Sequence, residues 1–143
     1  MGLKAEPLTV TVYVDGLAMP RNPGTGTYGY VIYEGPKNFA EGSGLAGHDV
    51  TSNYSEYTAL EQALSRLKSM RVEGDVLIKS DSKLLVGHLS SGWKVKGGMY
   101  VEKLKAVKDM LKEFGSVRFE WIPREQNQEA DLLTRIAYEK HRR

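Results

Sequence analysis

Residues 8–26, LTVTVYVDGLAMPRNPGTG, decide how the rest of the chain is read. Val10, Val12 and Val14 alternate with Thr11, Tyr13 and Asp15, and period-two alternation over this length predicts a half-buried strand. The strand is expected to end at Asp15, ahead of a turn rich in glycine and proline. An aspartate beside Gly16 has an ordinary use in turn chemistry. It has a second use as an acid presented at the end of a strand. The remaining elements decide between the two.

Downstream, TYGYVIYEG (27–35) is rich in β-branched and aromatic residues, and FAEGSGLAG (39–47) is a weaker strand candidate. Short connections among three successive strands predict an antiparallel meander. The period then changes. In SEYTALEQALSRLKSM (55–70), Ala59, Leu60, Ala63, Leu64 and Leu67 follow helical spacing. Asn53 stands three residues before Glu56, the spacing of an N-cap with its capping-box glutamate. DVLIKSDS (75–82) reads as a buried strand, SKLLVGHL (82–89) as a short helix and MYVEKLKAVKDMLKEF (99–114) as a longer one. SVRFEWIP (116–123) is the last strand and QNQEADLLTRIAYEKH (126–141) the closing helix. The order β-β-β-α-β-α-α-β-α predicts an α/β fold, a mixed five-stranded sheet flanked by helices. Strands separated by helices are expected to run parallel, and sites in such sheets form beyond the carboxyl ends of parallel strands.

With 143 residues the chain is expected to be one domain, residues 1–143. It has no cysteine, which excludes disulfides, zinc–thiolate sites and thiol nucleophiles. No apolar run approaches the roughly 20 residues needed to span a bilayer, and MGLKAEPLTV (1–10) lacks the pattern of a secretory signal. The expected setting is cytoplasmic, away from membranes. Twenty basic and eighteen acidic residues give a net charge of only +2, so charge alone does not announce a nucleic-acid partner. Lys94, Lys96, Lys103, Lys105 and Lys108 nonetheless cluster, and the chain ends KHRR. Local basic surface of this kind attracts phosphates, or is simply solvated.

Asp81 follows an apolar strand that can lie parallel to the first, so Asp15 and Asp81 are expected at the same end of the sheet. Glu56 shares the inward stripe of Ala59 and Leu60, and Asp131 sits early in the last helix. Each acid has an ordinary use: a capping box for Glu56, a dipole partner for Asp131, a cap near Ser82 for Asp81. Together they are harder to dismiss, because converging carboxylates raise one another's pKa unless a cation compensates them. Mg²⁺ prefers oxygen ligands, and two ions about 4 Å apart can activate water and stabilise a leaving oxygen in phosphoryl transfer. His48, His88 and His141 show no metal-binding spacing.

The ordered set YVDG…RNPGTGTYGYVIY, TSNYSEYTALEQAL, IKSDSKLL and WIPREQNQEADLLTR resembles the type 1 ribonuclease H family, in a compact, archaeal-like form. The resemblance extends from about Leu8 into the closing helix. It implies hydrolysis of the RNA strand in RNA–DNA hybrids, leaving 5′-phosphate and 3′-hydroxyl ends, by a monomer using two Mg²⁺ ions with Mn²⁺ as a substitute. Asp15, Glu56, Asp81 and Asp131 match the family's acidic quartet. Asp15 is then the bridge between ions, with Glu56 and Asp81 completing one site and Asp131 the other.

The resemblance also carries substrate contacts. Thr51 and Asn53 match positions that hold a DNA-strand phosphate, Asn22 one near the RNA strand, and Trp93 one where an aromatic meets substrate. Trp93 serves equally well as a core residue. Ser52 stands where asparagine is frequent and Lys83 where glutamine is frequent, a change expected to relax the distinction between hybrid and duplex RNA. The family's catalytic-loop histidine has no counterpart, Arg124 occupying that neighbourhood, and SSGWKVKGG (90–98) is too short for a basic protrusion. Other readings of the same residues are a nucleic-acid-binding module without activity, a nuclease that also cuts duplex RNA, and an α/β protein whose acids are all caps. The complete quartet argues against the first.

Overall fold

The structure, a computed structural model, describes residues 9–72 and 74–142. The stretch read for a secretory signal (apart from residues 9 and 10), Leu8 at the start of the resemblance, and Arg143 of the basic tail lie outside them. Strands β1 (Val10–Met19), β2 (Gly24–Glu34) and β3 (Lys37–Val50) lead into α1 (Ser52–Ser69), β4 (Asp75–Ser80), α2 (Lys83–Ser90), α3 (Tyr100–Leu111), β5 (Ser116–Trp121) and α4 (Gln128–His141). The sheet order is β3-β2-β1-β4-β5. β1–β2 and β2–β3 pair antiparallel, while β1–β4 and β4–β5 pair parallel. The predicted mixed sheet and meander are therefore present.

Alternation along β1 works as expected at first. Val10, Val12 and Val14 are buried, and they join Val76 and Ile78 of β4 beneath α1 and α3. α1 contributes Leu60, Leu64 and Leu67, each fully removed from solvent, and each such burial stabilises the fold by roughly 1.5–3 kcal/mol. α3 adds Leu104 and Val107, while Phe114, the end of the expected helix 99–114, lies beyond α3 as a partly buried neighbour. α4 covers the opposite face of the sheet, packing chiefly on β2. Among the described residues no helix is long and apolar enough to cross a membrane.

Two expectations are corrected. β1 does not stop at Asp15; it continues to Met19, paired with β2 throughout. What stops is its parallel pairing with β4, at Val14 and Ser80, so Asp15 emerges where one neighbour strand ends and the other goes on. The helix-capping residue is Thr51, not Asn53. The Tyr54 N–H donates to Thr51 Oγ1 at 3.1 Å, which puts Asn53 inside the first turn and Glu56 too far along the helix to reach back to the cap. Glu56 is left free for other work.

Candidate active site

Adjacent residues of β1 face opposite sides of the sheet, and both sides are used. Asp15 is in register with Gly29. A Cβ on Gly29 would stand 2.6 Å from the Ala130 carbonyl oxygen, so glycine there lets the start of α4 lie directly on the strand. Gly16 points the other way, where a Cβ would meet Glu56 N and Ser55 C at 2.4 Å. Backbone contact at these two glycines brings Glu56 to one side of Asp15 and Asp131 to the other.

Carboxylate oxygens of Asp15, Glu56 and Asp81 all lie within 4.8 Å of one another. Asp131 stands beside this trio, within hydrogen-bonding reach of Asp15, and accepts from Arg135 Nε at 3.0 Å. The four acids line a cleft of about 320 Å³ together with Asn22, Ser52, Arg124 and Arg135. Asp81 follows β4 directly, and the helix cap there is its neighbour Ser82, which accepts from the Leu85 N–H.

Asp15 is only 6% exposed. Burial first, then the charge of Asp81, the hydrogen bond to Asp131 and the charges of Glu56 and Asp131, push its carboxyl up to about 9. Burial also lifts Glu56 to about 7, helped by Asp81 and opposed by a hydrogen bond from Ser82 and by the Arg124 guanidinium. Asp81 is raised by burial as well, with Arg124 and a hydrogen bond from Asn127 pulling the other way. The cluster is thus short of positive charge. An all-oxygen donor set in that condition fits a hard divalent cation.

The expected substrate residues divide into three places. Asn22 and Ser52 clasp each other across the cleft: Asn22 Nδ2 donates to Ser52 Oγ at 2.9 Å, and Ser52 N–H donates to Asn22 Oδ1 at 3.1 Å. Thr51 and Asn53 flank this clasp at the start of α1, both half-buried. Lys83 is exposed at the start of α2, its ammonium 5.0 Å from the Trp121 ring centroid. Trp93 lies apart from the acids and is no core residue. It is 50% exposed, seated on Gly87, and shares a groove of about 430 Å³ with Leu84, His88, Lys94, Lys96 and Tyr100. His88 stacks on Tyr100, which also stacks on Tyr57, and its Nδ1 is bonded to the Tyr57 hydroxyl at 2.8 Å.

Sequence reasoning missed four residues at the site. Asn127 is buried and donates to the Val14 carbonyl at 2.8 Å, tying α4 to the last parallel pair of β1. Ser82 bonds Glu56, Arg135 holds Asp131, and the indole of Trp121 donates to the Asp81 carbonyl at 3.1 Å. Only Arg135 carried a readable signal, as the cation one helical turn after Asp131.

A mixed sheet that gathers three carboxylates at the end of its central strands, with a fourth on the covering helix, defines the ribonuclease H-like class of nuclease folds. A family model described as "Reverse transcriptase-like" matches residues 14–137. The Ribonuclease HI of Synechocystis sp. is 30% identical over 154 aligned positions, covering 97% of this chain and 93% of that protein. The chain therefore belongs to the type 1 ribonuclease H family, in its compact form. The crystal structure of LC11-RNase H1 in complex with an RNA/DNA hybrid superposes with a TM-score of 0.85 at 32% identity, covering 92% of this chain and 97% of that one. A bifunctional protein of Mycobacterium tuberculosis is 32% identical over 133 residues and covers 91% of the chain. The chain spans 35% of the length of that relative and of its mycobacterial counterparts.

Proposed function

We propose that this protein hydrolyses the RNA strand of RNA–DNA hybrids in a reaction dependent on divalent cations. The observation that carries this reading is the convergence of Asp15, Glu56 and Asp81 within 4.8 Å, with Asp131 alongside. Water adds to phosphorus, the bond from phosphorus to the 3′-oxygen breaks, and the proton goes to that oxygen. The ends left are a 5′-phosphate and a 3′-hydroxyl. When bound, two Mg²⁺ ions, or Mn²⁺ in their place, supply the positive charge that activates the water and stabilises the leaving oxygen.

The chain's own residues do the rest. Asp15, Glu56 and Asp81 would hold one cation, and Asp131 would serve with Asp15 for the other. Arg124, already close enough to lower the pKa of Glu56 and Asp81, faces the phosphate. Thr51 and Asn53 hold a phosphate of the DNA strand, and the groove of Trp93, Lys94 and Lys96 receives that strand further along. The hybrid in the LC11-RNase H1 complex supports this substrate class. The protein acts as a monomer.

The test is a comparison of labelled hybrid, duplex RNA and duplex DNA with Mg²⁺, Mn²⁺ or chelator. Cutting confined to the RNA strand of the hybrid and lost with chelator is the expected result. Binding without cutting under all conditions overturns it in favour of a non-catalytic module. A second outcome, cutting of duplex RNA as well, has its own support. The Asn22 amide is engaged at both ends by Ser52, leaving it less free to read a 2′-hydroxyl, the group that tells RNA from DNA.

A further inference from the structure

Trp121 is 43% exposed at the end of β5, yet both its polar edge and its face are occupied. The indole N–H donates to the Asp81 carbonyl at 3.1 Å, and the Lys83 ammonium lies 5.0 Å from the ring centroid. Ser80 and Trp121 are partners in the parallel register of β4 and β5, and the Ile122 N–H donates to the Ser80 carbonyl at 2.9 Å. Trp121, the last residue of β5, and Ile122 just after it thus pin the backbone that presents Asp81.

Lys83 is placed against two electrostatic preferences. It is a cation in the first turn of α2, where the helix dipole favours an anion. It also sits two residues from Asp81, beside carboxylates short of positive charge. A flexible ammonium in that position is drawn toward the acids, where it takes the charge a divalent cation needs. The aromatic face offers it another seat, and at an exposed site a cation–π contact is comparable in strength to an exposed ion pair. A small change at Trp121 is therefore enough to move the lysine.

We propose that Trp121 is a positioning residue that keeps the acid cluster open to divalent cations. Its N–H fixes the Asp81 backbone, and its ring holds the Lys83 ammonium away from the carboxylates. This rests on the reading of the acids as a cation site, and the test separates the two. Partners that orient metal ligands typically change affinity by about 10–100-fold when removed.

The measurement is calorimetric titration of substrate-free protein with Mn²⁺. Trp121→Leu is expected to weaken binding by about tenfold, the low end of that range. Trp121→Phe, which keeps a ring for Lys83 but loses the N–H, should lose less. Adding Lys83→Met to Trp121→Leu should restore a large part of the loss, because the competing ammonium is gone. In a Trp93→Phe background Trp121 is the sole tryptophan, and its emission should shift on Lys83→Met, a readout available even if Trp121→Leu does not fold. Unchanged affinity in both Trp121 variants overturns the proposal. A loss that Lys83→Met fails to restore, or an emission unmoved by Lys83→Met, overturns the role given to the ring. Wild-type protein that binds no Mn²⁺ brings down the cation site itself, a result distinct from either.

Discussion

Replacing Asp15 by asparagine should stabilise the metal-free protein while ending catalysis. The carboxyl moves from 3.8 to about 9 on folding, with burial the leading cause. A raised acid contributes stability that is complete below the unfolded pKa and lost as pH rises toward the folded one. At about pH 8 the gap amounts to roughly four units, or a ceiling on the order of 5 kcal/mol at 1.36 kcal/mol per unit. The asparagine amide escapes that loss, but leaving it imperfectly paired in a buried place costs about 1–3 kcal/mol. A net gain of about 2–4 kcal/mol follows, and at about 2–4 °C per kcal/mol it raises Tm by roughly 4–16 °C. The assay is thermal unfolding with chelator, from about pH 4 to pH 9. At the acid end the variant should melt below wild type by the cost of its amide, and it should overtake wild type as pH rises. Added Mg²⁺ should then raise the wild type more than the variant, since ligand binding to the native state adds stability. An asparagine variant that melts at or below wild type near pH 8, or a difference independent of pH, refutes the reasoning.

Gly16→Ala should cost about 1–3 kcal/mol or more from overpacking, because its Cβ would stand 2.4 Å from the α1 backbone. Denaturant unfolding measures the loss, and activity should fall further than stability as Glu56 is pushed away from Asp15. Cleavage should rise with pH as Glu56, held near 7, and Asp15 shed their protons. That rise should move to lower pH as cation concentration increases and stay unchanged in His48→Ala, as pH–rate profiles at several Mg²⁺ concentrations will show. Lys83→Gln should reduce the salt slope of hybrid binding by about one unit if the lysine reaches a phosphate. Filter binding across a salt series gives the answer, and an unchanged slope leaves Lys83 as the companion of Trp121 alone.

The order of strands and helices was legible because its signals are local. Three valines in β1 and five apolar positions in α1 each repeat with their own period, and the structure keeps both. The end of β1 was not legible, since Gly16 looks like turn chemistry until α1 is seen lying on it. The cap of α1 was ambiguous for a related reason. Thr51, Ser52 and Asn53 are all good capping residues, and the Asn22 amide that meets the Ser52 N–H comes from 30 positions earlier. The acids could be picked out by their places at element ends, but their partners could not. Asn127 reaches Val14 across 113 positions and Trp121 reaches Asp81 across 40, and no periodicity encodes either.

The two-sided use of β1 also divides the acids by how easily each can be withdrawn. Asp15, Glu56 and Asp81 sit on elements that share the main core beneath α1, so they separate only when the whole protein unfolds. Asp131 rides on α4, which contributes Ala130, Thr134, Ala137 and Tyr138 to burial on the other face. Local openings of peripheral elements need less free energy than global unfolding. Detachment of α4 alone therefore yields a protein with its three-acid nest whole and its fourth acid gone. Such a species would still sequester a cation yet cut nothing, and amide exchange confined to residues 128–141 would reveal it.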